Sequence, residues 1–81
     1  MRQLNASLIH PREVYRGAIV ATAAAIIAAH NHPSDNQEPS REDIEITKQL
    51  LESGKVLGIP LHDHIIFTDD SFTSFAERGL I

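Results

Sequence analysis

The pattern of apolar and polar positions at the start of the chain predicts a strand followed by a helix. Residues Leu4 to Ile9 are mostly compatible with a β-strand. The strand ends at His10-Pro11, because proline lacks a backbone donor and suits the first turn of a helix. We predict that this helix runs from Pro11 to about Thr22. Its packed face is predicted to consist of small and apolar residues, namely Val14, Gly17, Ala18 and Ala21.

The segment Ala23 to Ala29 is apolar at every position and allows two interpretations. It is either a continuation of the first helix or a strand that is buried on both faces. We favour a strand from Ala25 to His30. The following residues, Asn31 to Pro39, contain two prolines, two asparagines and a serine, and therefore predict a loop.

A second helix is predicted to begin at Ser40. On a helical wheel its inward face contains Asp43, Ile46, Thr47, Leu50, Leu51 and Gly54, and its outward face contains Arg41, Glu45, Lys48, Gln49 and Glu52. Gly54 is predicted to end the helix.

The last third of the chain predicts a strand and a short return. After Gly58-Ile59-Pro60, Leu61 to Thr68 form the predicted strand, and Asp69-Asp70-Ser71 form an acidic turn. The chain then returns through Phe72 and Phe75. These elements predict a small α/β fold in one domain that spans residues 1–81.

Composition limits how such a domain is stabilised. A chain of 81 residues buries only roughly 60% of the surface that it exposes when unfolded, so its stability margin is small. There is no cysteine, so a metal ion or a partner is the remaining source of extra stability. The formal charge of −4 and pI near 5.6 do not favour direct binding of nucleic acid.

Nothing in the sequence predicts a membrane segment. The longest apolar run, Ala18 to Ala29, is interrupted by Thr22 and is too short to span a bilayer, and no signal peptide is recognisable. We therefore expect a soluble, cytoplasmic protein, which the lack of cysteine fits.

Two histidines and one aspartate form a candidate metal site. His30 and His32 are two residues apart at the end of a predicted strand, so their imidazoles point to the same side. Asp43 is the only acidic residue on the inward face of its helix, and a cation would offset the cost of burying it. Two imidazoles and one carboxylate leave a fourth position open, as in catalytic zinc sites. The alternative is that Asp43 forms a capping box with Ser40 and binds no metal.

The spacing of these residues resembles a known family. HNHPSDNQEPSRED has the JAMM pattern of His-x-His, seven residues, Ser, two residues and Asp. The flanking LNASLIHPREVYRGAI and TKQLLESGKVLGIPLHDHIIF resemble the RadC group of the JAB/MPN metallopeptidases, so the similarity covers nearly the whole chain. The resemblance implies a cytidine-deaminase-like fold with a mixed sheet packed by two helices.

The resemblance also implies roles for individual residues. His30, His32 and Asp43 would bind Zn²⁺ with a water in the fourth position, and Ser40 would stabilise the oxyanion formed when that water attacks an amide carbonyl. The substrate would be a peptide or protein cleaved at a peptide or isopeptide bond. Asn31 is expected to face away from the metal.

The chain departs from the family pattern at two points. Asp35 stands where the RadC-like pattern usually has glycine, which changes the loop after the ligands. The family's general base is a glutamate on a strand upstream of the histidines, and the chain begins after that point. We therefore expect an N-terminally truncated domain whose catalytic activity is open. Glu13 is the only carboxylate before the motif. It is expected in the first turn of a helix, and the alternative is that it replaces the missing base.

Three further histidines are expected outside the metal site. His62 and His64 flank Asp63 in a second His-x-His pattern. Alternation along a strand places Asp63 on the opposite side from both histidines, and the sequence offers no helix carboxylate as a further metal ligand for them. We expect these residues to support the structure or the site. His10 is expected on the surface.

Two other functions remain open from the sequence. A domain without its base could be a non-catalytic module that binds metal, peptide or another chain. The name of the resembling group also suggests a DNA-repair-associated protein that acts through partners. If the family's first strands are absent, an exposed sheet edge predicts homo-oligomers.

Overall fold

The computed structural model of the chain describes residues 10–32 and 36–81. These residues form α1 (Pro11–Val20), β1 (Ile26–Asn31), α2 (Arg41–Leu57), β2 (Leu61–Phe67) and β3 (Phe72–Ser74). The sheet order is β1-β2-β3, with β1 parallel and β3 antiparallel to β2. The predicted α/β fold with a mixed sheet and two helices is confirmed. The predicted strand Leu4 to Ile9 and the substitution at Asp35 lie outside the described residues.

Helix α2 connects the two parallel strands, as parallel pairing requires a crossover connection. The apolar core lies between this helix, α1 and one face of the sheet. It is formed by buried Tyr15, Ala18, Leu50, Ile59 and Leu61. The crossover brings the start of α2 to the carboxyl end of β1, the edge where parallel sheets commonly carry their ligand sites. Over the residues described, no helix is both long and apolar enough to cross a membrane.

The buried face of α1 overlaps the predicted one only in part, because Ala18 is buried and Val14 packs against the core as predicted. Gly17 and Ala21 are exposed, whereas Tyr15 and Ala18 are buried. The physical reason is that the Tyr15 hydroxyl finds buried acceptors, since it lies 2.9 Å from the Leu50 carbonyl oxygen and 3.1 Å from that of Ile59. The helix is also two residues shorter than predicted and ends at Val20.

Strand β1 is one residue later than predicted and is not buried on both faces. Ile27 is 65% exposed, while His30 is 3% exposed. The core covers only one face of the sheet, so successive residues of β1 alternate between that face and a more exposed one. The interpretation of 25–30 as a strand is confirmed, but the predicted burial of both faces is wrong.

Helix α2 begins as predicted and ends later. Ser40 is its N-cap, and the predicted inward face is confirmed, because Asp43, Thr47, Leu50 and Gly54 are buried. Gly54 does not end the helix. The helix continues to Leu57 and is capped by Gly58, whose φ of 71° lies in the left-handed region that glycine adopts readily.

Gly54 is instead a point of close packing. A Cβ at this position would lie 2.6 Å from the Ile59 carbonyl oxygen and 2.6 Å from the Tyr15 hydroxyl. We expect Gly54→Ala to lower the free energy of unfolding by about 1–3 kcal/mol, because the added methyl overpacks the site. The matched control is Gly17→Ala, where a helical Cβ meets no atom within 4 Å, and it should be neutral or stabilising. Urea denaturation of both variants tests this; equal stabilities would contradict it.

Strand β2 contains an irregularity that changes the interpretation of its histidines. Ile26 pairs with Leu61 but Ile27 pairs with Asp63, so β2 has one extra residue at this point. His62 is consequently exposed and His64 is fully buried. The expectation that alternation places both histidines on the same side is therefore wrong, because a bulge breaks the alternation.

Asp63 has the structural role that was expected. Its carboxylate accepts hydrogen bonds from the Ser74 hydroxyl at 2.6 Å and from the Ala76 backbone N–H at 2.9 Å. These bonds attach β2 to the segment that follows β3. The carboxylate is thus used by the fold.

Candidate metal centre

The two histidines of the His-x-His pair both contact the carboxylate of Asp43. His30 Nε2 lies 3.0 Å from Asp43 Oδ1, and His32 Nε2 lies 3.1 Å from Asp43 Oδ2. His30 is in β1, and His32 follows directly after it, with its backbone N–H bonded to the Phe67 carbonyl oxygen. The expected orientation of both imidazoles to one side is therefore found.

Asp43 also forms the capping box that was the alternative interpretation. The Ser40 backbone N–H donates to Asp43 Oδ2 at 2.7 Å, and the Asp43 backbone N–H donates to Ser40 Oγ at 3.1 Å. The two roles are compatible, because Oδ1 faces His30, while Oδ2 accepts from the helix start and also faces His32. Capping fixes the orientation of the carboxylate toward the histidines.

The electrostatic environment determines the charge of this group. Burial would by itself raise the pKa of Asp43, but hydrogen bonds from Ser40 and the nearby His30 and His32 outweigh it and lower the pKa. Burial also lowers the pKa of His30, although Asp43 opposes this. Near neutral pH, Asp43 is therefore a carboxylate and His30 a neutral imidazole.

The Nε2 atoms of both histidines are suited to bind a cation. His32 Nδ1 lies 3.0 Å from the Asn36 carbonyl oxygen, which can only accept, so Nδ1 carries the hydrogen. The other nitrogen of this ring, Nε2, lies 3.1 Å from Asp43 Oδ2. His30 Nε2 is buried and, among the described residues, has no hydrogen-bond partner of acceptable geometry. An orphaned buried nitrogen beside a carboxylate is costly unless a cation lies between them.

The donor set fits a divalent metal ion. One ligand atom from each of His30, His32 and Asp43 lies within 4.8 Å of the other two, and this is the one such group of His, Cys, Asp and Glu found in the described ranges. The 3.0 and 3.1 Å separations are close to the roughly 3.3 Å between neighbouring ligands of a tetrahedral zinc with bonds of about 2.0–2.1 Å. His30 and Asp43 are 3% and 2% exposed, so the site is largely shielded from water.

The other residues singled out from the sequence lie around or away from this group. Ser40 is next to it as the N-cap of α2. Glu13 is exposed in the first turn of α1, and the structure does not bring it to the cluster. Asn31 and His10 are exposed, as expected.

His64 supports the site as expected, but sequence analysis did not identify the two residues that it contacts. His64 Nε2 lies 2.9 Å from His30 Nδ1, and His64 Nδ1 lies 2.6 Å from Thr47 Oγ1. The available signal was Thr47, a polar residue on the inward face of α2, one turn after Asp43. The partner of Thr47 depends on the bulge in β2, which the pattern of residues does not show.

The buried histidines predict that the metal-free protein is sensitive to acid. Burial, followed by the effect of His30, lowers the pKa of His64 from 6.5 to about 4. Between pH 6.5 and pH 4 the unfolded chain binds more protons at this histidine than the folded chain does. The contribution of His64 to the free energy of unfolding is therefore complete above pH 6.5 and is lost as the pH falls toward 4. We expect a loss of about 2–3 kcal/mol, measured by urea denaturation with a chelator present. His64→Gln should flatten this dependence; an equally steep profile would contradict the assignment.

Comparison with known proteins identifies similar sequences along almost the entire chain. The family model described as RadC-like JAB domain matches residues 2–80. A UPF0758 protein of Salinibacter ruber is 56% identical over 78 residues, which cover 96% of this chain and 34% of that protein. A UPF0758 protein of Methanospirillum hungatei JF-1 is 57% identical over 81 residues, which cover 100% of this chain and 36% of that protein. The chain thus spans about a third of the length of these curated relatives.

Proposed function

Because the chain belongs to the RadC-like JAB domain family, we propose that it is a zinc-dependent hydrolase domain that cleaves peptide or isopeptide bonds. The observation that carries the proposal is the convergence of His30 Nε2, His32 Nε2 and the Asp43 carboxylate, with His30 Nε2 buried and without a hydrogen-bond partner among the described residues. Three protein ligands and an open fourth position are typical of catalytic rather than structural zinc.

Each residue of the site has a distinct part in this proposal. His30, His32 and Asp43 would hold the metal, and the capping box would keep Asp43 in place. Zinc, when bound, lowers the pKa of water and polarises a carbonyl group. The Ser40 hydroxyl would donate a hydrogen bond to the oxyanion that develops on the substrate carbonyl; such a donor contributes roughly 3–4 kcal/mol to lowering the barrier.

Proton transfer is the part that the described residues do not supply. Apart from Asp43, no carboxylate of residues 10–32 and 36–81 joins the group, and Glu13 lies on a different helix. A positioned general base contributes roughly a hundredfold to ten-thousandfold to the rate. We therefore expect slow turnover by the 81-residue chain, and this favours a metal-binding interaction module as the second candidate.

A hydrolysis assay tests the proposal. The zinc-loaded chain, His32→Ala and Glu13→Gln are compared on a panel of peptide and isopeptide substrates. Slow cleavage that is lost in His32→Ala and kept in Glu13→Gln supports the hydrolase. Cleavage lost in Glu13→Gln would identify Glu13 as the base after all. No cleavage by any sample that binds zinc would favour the interaction module.

We also propose that the domain self-associates in the cytoplasm. Among the described strands, β1 pairs only with β2, and strand edges without a partner tend to pair with other chains. Light scattering over a wide range of concentrations should show dimers or larger species. A constant monomer mass at all concentrations would contradict this proposal.

A further inference from the structure

A chain of buried hydrogen bonds lies behind His30, on the side opposite to the metal centre. Thr47 Oγ1 is 2.7 Å from the Asp43 carbonyl oxygen and 2.6 Å from His64 Nδ1. His64 Nε2 is in turn 2.9 Å from His30 Nδ1. Thr47, His64 and His30 are 2%, 0% and 3% exposed, so water cannot readily replace any of these bonds.

The direction of these hydrogen bonds can be assigned from the groups at the two ends. The Asp43 carbonyl oxygen can only accept, so the Thr47 hydroxyl donates to it and accepts from His64 Nδ1–H. His64 Nε2 is then an acceptor and receives the hydrogen of His30 Nδ1. His30 Nε2 is left with a lone pair, and this lone pair faces Asp43.

The reverse direction is disfavoured at the other end of the chain. It would place a hydrogen on His30 Nε2, and Asp43 Oδ1, although only 3.0 Å away, does not lie in hydrogen-bond geometry to this nitrogen. A buried N–H without an acceptor costs about 1–3 kcal/mol. The ring of His64 is held in position by stacking on Phe75, with ring centroids 4.7 Å apart and planes inclined by 20°.

We propose that Thr47 and His64 are positioning residues that hold His30 in the tautomer with hydrogen on Nδ1, so that its Nε2 is ready to bind a divalent metal. This inference rests on the metal site proposed above. Partners that orient a ligating histidine commonly change metal affinity by 10–100-fold when they are removed. In many zinc sites the partner of the ligating histidine is a carboxylate or a backbone carbonyl. Here the partner of His30 is the neutral imidazole of His64, which Thr47 orients in turn.

The tautomer can be measured without any metal. Long-range ¹H–¹⁵N correlation spectra of the zinc-free 81-residue chain distinguish a protonated from an unprotonated Nδ1 in each histidine. We expect His30 and His64 both to carry hydrogen on Nδ1. His30 with hydrogen mainly on Nε2 would overturn the proposal. The spectra do not depend on zinc binding, so the two proposals can fail separately. A chain that binds no zinc would refute the proposed function, whereas the tautomer of His30 decides the present inference.

Zinc titrations of four variants test the consequence for affinity. Thr47→Val preserves the shape of the side chain and should weaken zinc binding about tenfold, and Thr47→Ser should restore it to within about threefold of wild type. His64→Leu should weaken binding about 10–100-fold, whereas the matched control His62→Leu changes an exposed histidine of the same strand and should leave it unchanged. Wild-type affinity in folded Thr47→Val and His64→Leu would overturn the proposal. If His64→Leu does not fold, the two threonine variants and the spectra decide.

Discussion

Replacing Asp43 by alanine should raise the dissociation constant for zinc by about a hundredfold or more. Loss of residues that merely orient a ligand costs 10–100-fold, and loss of a direct ligand should cost at least as much. Asp43 is the carboxylate that both His30 Nε2 and His32 Nε2 face, at 3.0 and 3.1 Å. Isothermal titration or competition with a chelator of known affinity measures the change.

The controls must separate metal binding from helix capping, because Asp43 has both roles. Ser40→Ala removes the hydroxyl that accepts from the Asp43 N–H but keeps the carboxylate and the Ser40 backbone donor. It should cost about 1 kcal/mol of stability and leave zinc affinity within about threefold of wild type. Asp43→Asn keeps an oxygen for the cap and should still lose most affinity. Full affinity in Asp43→Ala would mean that the third ligand lies elsewhere.

Zinc should stabilise the fold by about 4 kcal/mol when its free concentration is a thousand times the dissociation constant. A ligand that binds only the folded state shifts unfolding by mass action, and in a domain of this size such a shift raises Tm by more than about 10 °C. The rise in Tm is large because a small domain has a small entropy of unfolding. Thermal melts with zinc and with a chelator measure it.

His32→Ala is the suitable control for the melting experiment. The His32 side chain is 15% exposed, whereas His30 is buried and bonded to His64. Its removal should abolish the zinc-dependent rise in Tm with little change in the zinc-free Tm. A rise of the same size in wild type and His32→Ala would show that zinc acts at another place.

The local pattern of the sequence was sufficient to predict α2 and the residues that it directs inward. The face formed by Asp43, Thr47 and Leu50 follows from helical periodicity, and the position of Ser40 follows from capping chemistry. The end of the helix was not predictable in this way. Both Gly54 and Gly58 are natural helix ends, and only the approach of Tyr15 shows that Gly54 is required for packing.

The three candidate ligands were also accessible from the sequence, but the groups behind them were not. His30 and His32 share a strand direction, and Asp43 is set by the helix start, so each orientation depends on local geometry. The role of His64 depends on the extra residue in β2 and on the register of β2 against β1. Such features arise from tertiary packing, which alternation along a single strand does not encode.

The most direct test of the account is the position of the metal itself. Anomalous diffraction from crystals of the zinc-loaded chain, recorded at the zinc absorption edge, locates the ion without reference to any assumed ligand. The account predicts one strong peak between His30 Nε2, His32 Nε2 and the carboxylate of Asp43. A peak at another place, or no peak in crystals grown with saturating zinc, would contradict it.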